Sequence, residues 1–365
     1  MRLAVLVDRW HPRGGGLEAW TRAVAPRLAA RGHEVFLVAR RASRRPPAGV
    51  CPVPLAPLWR PGRSRRDAAF AAAAARRLRS LAPDRVLDLR AAGLPGAALL
   101  PMGGLPAPAP DVSARRRALA ERAREAARRA ALVLAPSPRV LRELRDCAPA
   151  VRGELLPLPL LEDPRPRLHP PRPPERASDL RPLRVLHCGR DAARHGMRPA
   201  LAWARALRRR LGHVRFEGWT RRPSRAVLGE GLADLADDVV LHGWDGAFRA
   251  ALPRADLLVH PTAYDSFSLV CLEAAAVGVP VVTTPACGAA DLLPESLVRR
   301  VPRDDPEAAA AAALELLAAA AADPERVAAD AAALRRDFAL ERHVDRLEAL
   351  LASIPPSLPR TLPPR

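Results

Sequence analysis

The chain of 365 residues contains no Lys, no Asn and a single Ile, Ile354. All 59 basic residues are therefore Arg, against 39 acidic residues, and the formal net charge is +20. The missing residues are those with A/T-rich codons, whereas Ala, Arg and Pro are abundant. We attribute this bias to a G/C-rich genome, so the abundance of Arg is weak evidence for any particular ligand.

Cysteines and long apolar runs are also scarce. The five Cys are odd in number and show no CxxC spacing, which argues against a zinc site or a disulfide framework and favours a reducing cytoplasm. No apolar run reaches the roughly 18 residues of a membrane span, and Glu315 interrupts the Ala-rich tract from Ala308 to Ala322. The first apolar run ends at Asp8, which predicts a strand rather than a signal peptide.

Aromatic residues are few, with six Trp, six Phe and one Tyr, and no nucleic-acid-binding module is recognisable. Nucleic-acid binding is therefore the weakest functional hypothesis. The charge is divided unevenly, because residues 1–160 carry 30 Arg and 12 acids whereas residues 161–365 carry 29 Arg and 27 acids. Two interpretations of the basic half stay open: a solvated Arg-rich surface, or attraction to an anionic partner such as membrane lipid or a phosphorylated substrate.

Short β-rich runs alternate with helical patterns in two series. The first series of predicted strands is Leu3–Val7, Val35–Val38, Val86–Leu89, Leu132–Ala135 and Leu155–Leu158, with helices such as Leu17–Ala30 and Ser113–Ala131 between them. The second series is Val185–Cys188, Val214–Phe216, Val239–His242, Leu257–His260 and Val281–Thr284. This alternation predicts α/β architecture with two doubly wound parallel sheets.

The segment between the two series is rich in Pro and Arg and lacks apolar periodicity, which predicts a linker. We therefore expect a Rossmann-like domain over residues 1–160, a linker over 161–182, a second Rossmann-like domain over 183–340, and a terminal helix with a disordered tail over 341–365. Parallel sheets bind ligands beyond the carboxyl ends of their strands, so two such domains are expected to face a ligand-binding cleft.

Two strand-to-helix turns carry residues suited to anions. Gly14, Gly15 and Gly16 follow the first strand, where glycine lets the backbone approach a ligand, but their spacing does not match GxGxxG. In the second series, Gly189 ends a strand and is followed by three basic side chains suited to a diphosphate; these are Arg190, Arg194 and His195. The alternative interpretation of the first turn is a flexible turn without a ligand, and that of the second is solvent-facing Arg in an Arg-rich protein.

A third turn is more informative, in the stretch DLLVHPTAYDSFSLVCLEAAAVGVPVVTTPACGAADLL. Asp265 lies in the turn, and Glu273 lies two turns or slightly more along the following helix. Carboxylates accept hydrogen bonds from sugar hydroxyls, so the pair is able to hold a ribose and a hexose of one ligand. The backbone amides at this edge are expected to receive phosphate; they belong to Phe267, Ser268, Leu269 and Val270.

This stretch resembles the nucleotide-sugar site of family 4 glycosyltransferases of the GT-B fold. Asp265-x7-Glu273, followed by the sequence AVGVPV from Ala276, is similar to the family's E-x7-E and A-x-G-x-P-V pattern. RVLHCGRDAARHGMRPAL and GGGLEAWTRAVAPRLAARGHEV are similar to two further family segments, so the resemblance covers most of the chain. The spelling HP-x-x-Y-D and the sequence CGAAD from Cys287 look closest to enzymes that glucosylate the inner core of lipopolysaccharide.

The resemblance implies a role for each matching residue. Glu273 would bind the ribose of a UDP- or GDP-linked sugar, and Asp265 would hold the transferred sugar. Arg190 and His195 would act on the diphosphate, with Arg194 beside them. The remaining donor-binding positions implied are Gly189, Phe267, Ser268, Leu269, Val270, Gly14, Gly15 and Gly16. The family normally retains the anomeric configuration and needs no bound metal or other cofactor.

Four positions depart from the family pattern. His195 replaces Lys, Asp265 replaces Glu, Ser268 replaces Gly, and Pro106 stands where a first-domain His is expected. The leading hypothesis is a retaining hexosyltransferase at the inner face of the cytoplasmic membrane, acting on a glycolipid or surface polysaccharide precursor. The alternative is a catalytically degenerate relative that binds a ligand or partner without transfer.

Overall fold

The structure is a computed structural model in which two compact units are described. The described residues are 1–10, 15–42, 46–55, 63–106, 114–164, 167, 169–171, 173–178, 181–224, 226, 237–244 and 247–356. Met1–Leu161 and Leu340–Arg365 form the first unit, and Glu162–Ala339 form the second. Residues 357–365 of the predicted disordered tail lie outside the described residues.

The described part of the first unit is built on a sheet of seven parallel strands. Its strands are β1 (Arg2–Trp10), β2 (Glu34–Ala42), β3 (Val50–Pro54), β4 (Arg85–Asp88), β5 (Ala98–Leu99), β6 (Leu132–Ala135) and β7 (Gly153–Leu155). They are ordered β3-β2-β1-β4-β5-β6-β7. The strand β1 is apolar on both faces, with Leu3–Val7 fully buried, as expected of a parallel sheet that is covered on both sides.

Five helices accompany this sheet among the described residues of the first unit. They are α1 (Gly16–Ala30), α2 (Arg63–Leu81), α3 (Ala114–Arg129), α4 (Pro138–Cys147) and the terminal helix, α11 (Leu340–Ala352). The start of α4 is encoded locally, because the Ser137 hydroxyl accepts the Val140 amide at 3.4 Å and Pro138 occupies the first helical position.

Helix α11 belongs to the first unit although it ends the chain. The buried Trp20 indole donates to His343 Nε2 at 3.0 Å, and His343 Nδ1 lies 2.8 Å from the Pro157 carbonyl oxygen. Arg31 adds ion pairs to Glu341 and Asp345 at 2.7 and 2.6 Å. The sequence predicted this helix without assigning it to a domain, and these contacts attach it to α1, to Arg31 directly after α1, and to the segment after β7.

The second unit repeats the same architecture, with six parallel strands among its described residues. These are β8 (Leu183–Cys188), β9 (Val214–Trp219), β10 (Val239–His242), β11 (Leu257–His260), β12 (Val281–Thr283) and β13 (Val298–Arg300), ordered β10-β9-β8-β11-β12-β13. The segment predicted as a linker contains a short 3-10 turn at Pro174–Arg176 and is grouped with this unit.

Six helices complete the described part of the second unit. They are α5 (Ala192–His195), α6 (Met197–Leu211), α7 (Ala247–Ala251), α8 (Leu269–Ala276), α9 (Pro306–Ala322) and α10 (Pro324–Asp337). One buried cluster joins α6 and α9 to the strands through Trp203, Phe216, Val259 and Leu316. In the described chain, no helix combines the length and the apolar character that a membrane crossing requires.

Both sheets confirm the predicted α/β fold with two doubly wound sheets. In the second sheet the strand order reverses between β8 and β11, because β9 and β10 extend to one side and β12 and β13 to the other. Ligands of such sheets bind beyond the carboxyl ends of the strands at this reversal. The loops that follow β8 and β11 are therefore adjacent, and they carry most of the residues that the sequence singled out.

Candidate nucleotide-sugar site

The loop after β8 packs His195 directly against the end of its strand. Gly189 leaves no room for a side chain, since a Cβ there would lie 2.3 Å from His195 Cβ. Asp191 caps α5 by accepting the Arg194 amide at 3.1 Å, and its own amide donates to His195 Nδ1 at 3.2 Å. A ring that accepts at Nδ1 carries its proton on Nε2 when neutral.

Gly196 connects this loop to the loop after β11. Its φ is +81°, in the left-handed region that favours glycine, and a Cβ there would lie 2.1 Å from the Pro261 carbonyl oxygen. That carbonyl also accepts Arg303 Nε at 3.0 Å. The glycine therefore allows the two loops to come into direct contact.

Arg194 also connects the loop after β8 to the loop after β11, through two hydrogen bonds. Its Nε donates to the Tyr264 carbonyl oxygen at 2.8 Å, and its own carbonyl accepts the Ala263 amide at 2.9 Å. Arg190 differs, because its side chain is exposed and the described residues offer it no ion pair. Arg194 is thus engaged in loop structure, whereas Arg190 is available to an anion.

Asp265 lies at the junction of the two loops. Its amide donates to the Ala286 carbonyl oxygen at 3.0 Å, and its Oδ1 accepts the Phe267 amide at 3.3 Å. Its other oxygen, Oδ2, faces two imidazoles, with His260 Nε2 at 3.6 Å and His195 Nε2 at 3.9 Å. These contacts hold the carboxylate at the carboxyl edge of the sheet.

The electrostatics of this junction leave its acid, Asp265, charged and its base, His195, uncharged. Burial alone would raise the pKa of Asp265, but the neighbouring His260, His195 and Arg194 outweigh it and lower the pKa to about 2. Burial lowers the pKa of His195 to about 4, although Asp265 opposes this change. At pH 7 the free protein therefore carries an ionised Asp265 beside a neutral His195, and the permanent positive charge at this edge comes from Arg.

The start of α8 is strained. Ser268, immediately before the helix, adopts φ 79° and ψ 84°, in the left-handed region where a non-glycine residue costs about 1–2 kcal/mol. This conformation explains why a glycine suits the position. Of the four amides expected to receive phosphate, that of Phe267 already donates to Asp265, while those of Leu269 and Val270 belong to the first helical turn and lack intrahelical acceptors.

Glu273 is the most buried acid of the site, with 5% of its surface exposed. Helix α8 begins only at Leu269, so Glu273 lies in its second turn, closer to the helix start than the sequence suggested. Its Oε1 accepts both Nε and Nη2 of Arg249, at 2.9 and 2.7 Å. Burial raises the pKa of Glu273, and this ion pair opposes the rise.

The glycine turn of the first unit is described only in part. Gly15 precedes α1 and Gly16 is its first residue, without a side-chain cap. Gly14 lies outside the described residues. Pro106, in the position where the family resemblance implies a His, is half-buried after the buried Leu105.

Two residues of the site escaped the sequence analysis. Arg249 is 24 positions before its partner Glu273 and shares no motif with it. His260 ends β11 and had been quoted only as part of the strand, although its ring is almost fully buried against Asp265. The one available signal was general: a carboxylate inside an apolar helix requires a cation nearby.

Family models match both halves of this chain. Residues 182–319 match the model described as glycosyl transferases group 1, and residues 14–159 match the model described as glycosyltransferase family 4. Together the two matches cover most of the sequence. The chain belongs to the group 1 glycosyltransferases. Its two Rossmann-like units have the GT-B fold that the sequence resemblance implied.

Solved structures of glycosyltransferases and related enzymes share this fold. WaaG, described as a glycosyltransferase involved in lipopolysaccharide biosynthesis, has a TM-score of 0.73 at 18% identity, over 96% of this chain and 100% of its own. Sucrose-phosphate synthase from Thermosynechococcus elongatus has a TM-score of 0.72 at 21% identity, over 96% and 98%. Anabaena HepE in complex with UDP-glucose has a TM-score of 0.67 at 16% identity, over 97% and 100%. A search of curated protein sequences finds no match.

Proposed function

We propose that this group 1 glycosyltransferase moves a hexose from a nucleoside diphosphate sugar to a glycolipid or surface polysaccharide precursor, with retention of the anomeric configuration. The observation that carries the proposal is the arrangement at the strand reversal of the second sheet. There, an ionised carboxylate, exposed and loop-bound arginines, and a second buried carboxylate on α8 surround one sheet edge. The Anabaena HepE structure of similar fold is itself a complex with UDP-glucose.

In this proposal each group acts on a different part of the donor. Glu273 accepts hydrogen bonds from the ribose hydroxyls, and Asp265 accepts them from the transferred sugar. Arg190 and the first-turn amides of α8 neutralise the diphosphate as it leaves with the electron pair of the broken sugar–oxygen bond, so no bound metal is required. Retention follows from the family resemblance, and the anomeric configuration of the product, read by NMR, tests it.

Glu273→Gln is expected to weaken binding of the nucleotide while leaving the fold intact. Gln keeps the shape of the side chain but loses the charge, and each charge-assisted hydrogen bond contributes about 1.5–3 kcal/mol, so affinity should fall about 10- to 100-fold. The donor is found first by thermal shift with UDP-, GDP- and ADP-linked sugars, since a ligand at 100 times its Kd adds about 2.7 kcal/mol of stability. Glu295→Gln, an exposed acid of the same unit, is the matched control. Unchanged affinity in Glu273→Gln would refute the assigned role.

A second candidate is binding without transfer. It is favoured by His195, which is neutral at pH 7 in the position where the family has a permanent cation. Donor-induced stabilisation, without release of nucleoside diphosphate in the presence of membrane lipid extract, would support this candidate. Release that depends on the extract would exclude it.

The family resemblance implies that the first unit binds the acceptor, and we propose that this unit docks on the inner face of the cytoplasmic membrane through α3. This helix carries seven Arg and two Glu, and it stays basic although Arg122 pairs with Asp67, and Arg128 and Arg129 pair with Glu125. Each basic residue near an anionic bilayer contributes about 1 kcal/mol, and the attraction is screened by salt.

Full-length protein is therefore expected to sediment with phosphatidylglycerol vesicles at low salt and to be released at about 0.5 M salt, where the Debye length is only a few ångströms. Arg117→Glu combined with Arg129→Glu should lower vesicle affinity at least about tenfold. The matched control is Arg326→Glu combined with Arg336→Glu, two exposed residues of α10 in the second unit. Equal losses from the two double variants would remove α3 as the docking element.

A further inference from the structure

The buried carboxylate of Glu273 depends on a single described cation. Glu273 is 5% exposed, and an unpaired charge at that depth is costly. Arg249 supplies the opposite charge from α7, the short helix that follows β10 and a two-residue gap of undescribed chain. Burial raises the pKa of Glu273, and the charge and hydrogen bonds of Arg249 act against that rise, so this contact favours the ionised acid.

The ion pair between Arg249 and Glu273 uses only one of the two carboxylate oxygens. Arg249 donates twice to the same oxygen, with Nε at 2.9 Å and Nη2 at 2.7 Å from Glu273 Oε1. Each carboxylate oxygen has about two lone-pair sites, so Oε1 is saturated. Among the described residues, none donates a hydrogen bond to Oε2, which leaves that oxygen for a ligand.

From this geometry we infer that Arg249 is a positioning residue of the donor site. It keeps Glu273 ionised and turned so that Oε2 accepts the ribose hydroxyls of a nucleoside diphosphate. This inference rests on the proposed function, and it adds a residue that the sequence motif does not contain.

Other groups around the pair have smaller effects. Glu162 lies 3.5 Å from Arg249 Nη1, but its side chain is 63% exposed, so solvent weakens its hold on Arg249. The negative charge of Glu162 also raises the pKa of Glu273, which reinforces the need for Arg249. Cys188, at the end of β8, also acts on Arg249, and its effect is to raise the pKa of the guanidinium.

Removal of Arg249 therefore has a consequence that depends on pH. Without the guanidinium, burial of Glu273 is unopposed and its pKa rises further. Below that pKa the acid is protonated and has lost its charge, so nucleotide affinity falls as the pH falls. The wild-type protein, with the cation in place, should hold its affinity to a lower pH.

The test is a double-mutant cycle on nucleotide binding. Calorimetry with UDP and GDP, at pH 5.0 to 8.5, compares the wild type with Arg249→Gln, Arg249→Lys, Glu273→Gln and the double variant Arg249→Gln/Glu273→Gln. We expect Arg249→Gln to lower affinity about tenfold at pH 7 and by more at pH 5.5. In the Glu273→Gln background the same substitution should have almost no effect. Arg249→Lys, which restores the charge but not the two-pronged donor, should recover the pH profile and part of the affinity.

The control is Arg254→Gln, an exposed residue in the turn directly after α7. Circular dichroism and melting temperatures establish that each variant is folded. If Arg249→Gln does not fold, Arg249→Lys alone is compared with the wild type. Additive losses in the cycle would show that Arg249 contacts the nucleotide itself and would overturn the inference, as would an equal loss at every pH. If the wild type binds neither UDP nor GDP, the inference is overturned as well. That result would identify a failure of the proposed donor rather than of Arg249, because no variant would then differ from the wild type.

Discussion

Asp265→Asn is expected to reduce the rate constant of sugar transfer about 100- to 1,000-fold while leaving affinity for the free nucleoside diphosphate nearly unchanged. The substitution keeps the shape of the side chain and its bond from the Phe267 amide, but it removes the charge facing the transferred sugar. Loss of one electrostatic group that acts on the reacting centre has effects of this size. The measurement is the steady-state release of nucleoside diphosphate with a saturating donor and membrane lipid extract as the source of acceptor.

The transfer rate should not depend on pH through Asp265 in the neutral range. The pKa of Asp265 is lowered to about 2, so the carboxylate stays ionised throughout the range from about pH 4 upward. Any acid limb in the wild-type rate between about pH 5 and 7 must therefore come from another group. Asp304→Asn, an exposed acid of the same unit, is the control and should retain wild-type turnover. A transfer rate within about threefold of wild type in Asp265→Asn would remove this carboxylate from the reaction.

The alternation of strands and helices was predictable because buried parallel strands are short apolar runs. The predicted ranges Leu132–Ala135, Val239–His242 and Leu257–His260 coincide with the observed strands. β3 was missed because its sequence, VCPVP, contains two Pro. Proline is tolerated there since β3 is an edge strand, a position that local sequence does not reveal.

Other differences also have physical reasons. β7 lies at Gly153–Leu155, whereas Leu155–Leu158 had been predicted, and Pro157 within that run has no amide to donate to a neighbouring strand. β5 has only two residues and β13 has three, which is too short for alternation to be recognised. Such elements are defined by pairing with neighbours rather than by their own pattern.

The candidate site also contains residues that the sequence predicted and residues that only the fold brings together. Its loop residues were predictable because glycine, carboxylates and Arg recur at the ends of strands, where parallel sheets bind ligands. The neutral state of His195 could not be predicted from the sequence, since it depends on burial by groups that are distant in sequence. The partnership of Arg249 with Glu273 was equally hidden, because α7 and α8 are brought together only when β10 and β11 take their places in the sheet.

Gly196→Ala is expected to destabilise the second unit strongly, although it adds only one methyl group. Two effects combine: the left-handed φ of +81° costs a side chain about 1–2 kcal/mol, and the new Cβ would lie 2.1 Å from the Pro261 carbonyl oxygen. That oxygen belongs to the backbone and accepts Arg303 Nε, so it cannot move without breaking a further contact. Overpacking of this kind adds about 1–3 kcal/mol.

The chain contains a matched control for the backbone effect. Gly32, in the turn directly after α1, has φ +84°, also in the left-handed region, but a Cβ there would have nothing within 4 Å. Gly32→Ala should therefore lower the free energy of unfolding by about 1–2 kcal/mol, and Gly196→Ala by about 2–5 kcal/mol. Urea unfolding followed by circular dichroism measures both, and donor affinity should fall only in Gly196→Ala because only this glycine connects the two loops of the site. Equal destabilisation by the two substitutions would mean that the Pro261 loop yields freely, and that the close contact between the loops does not hold Asp265 in place.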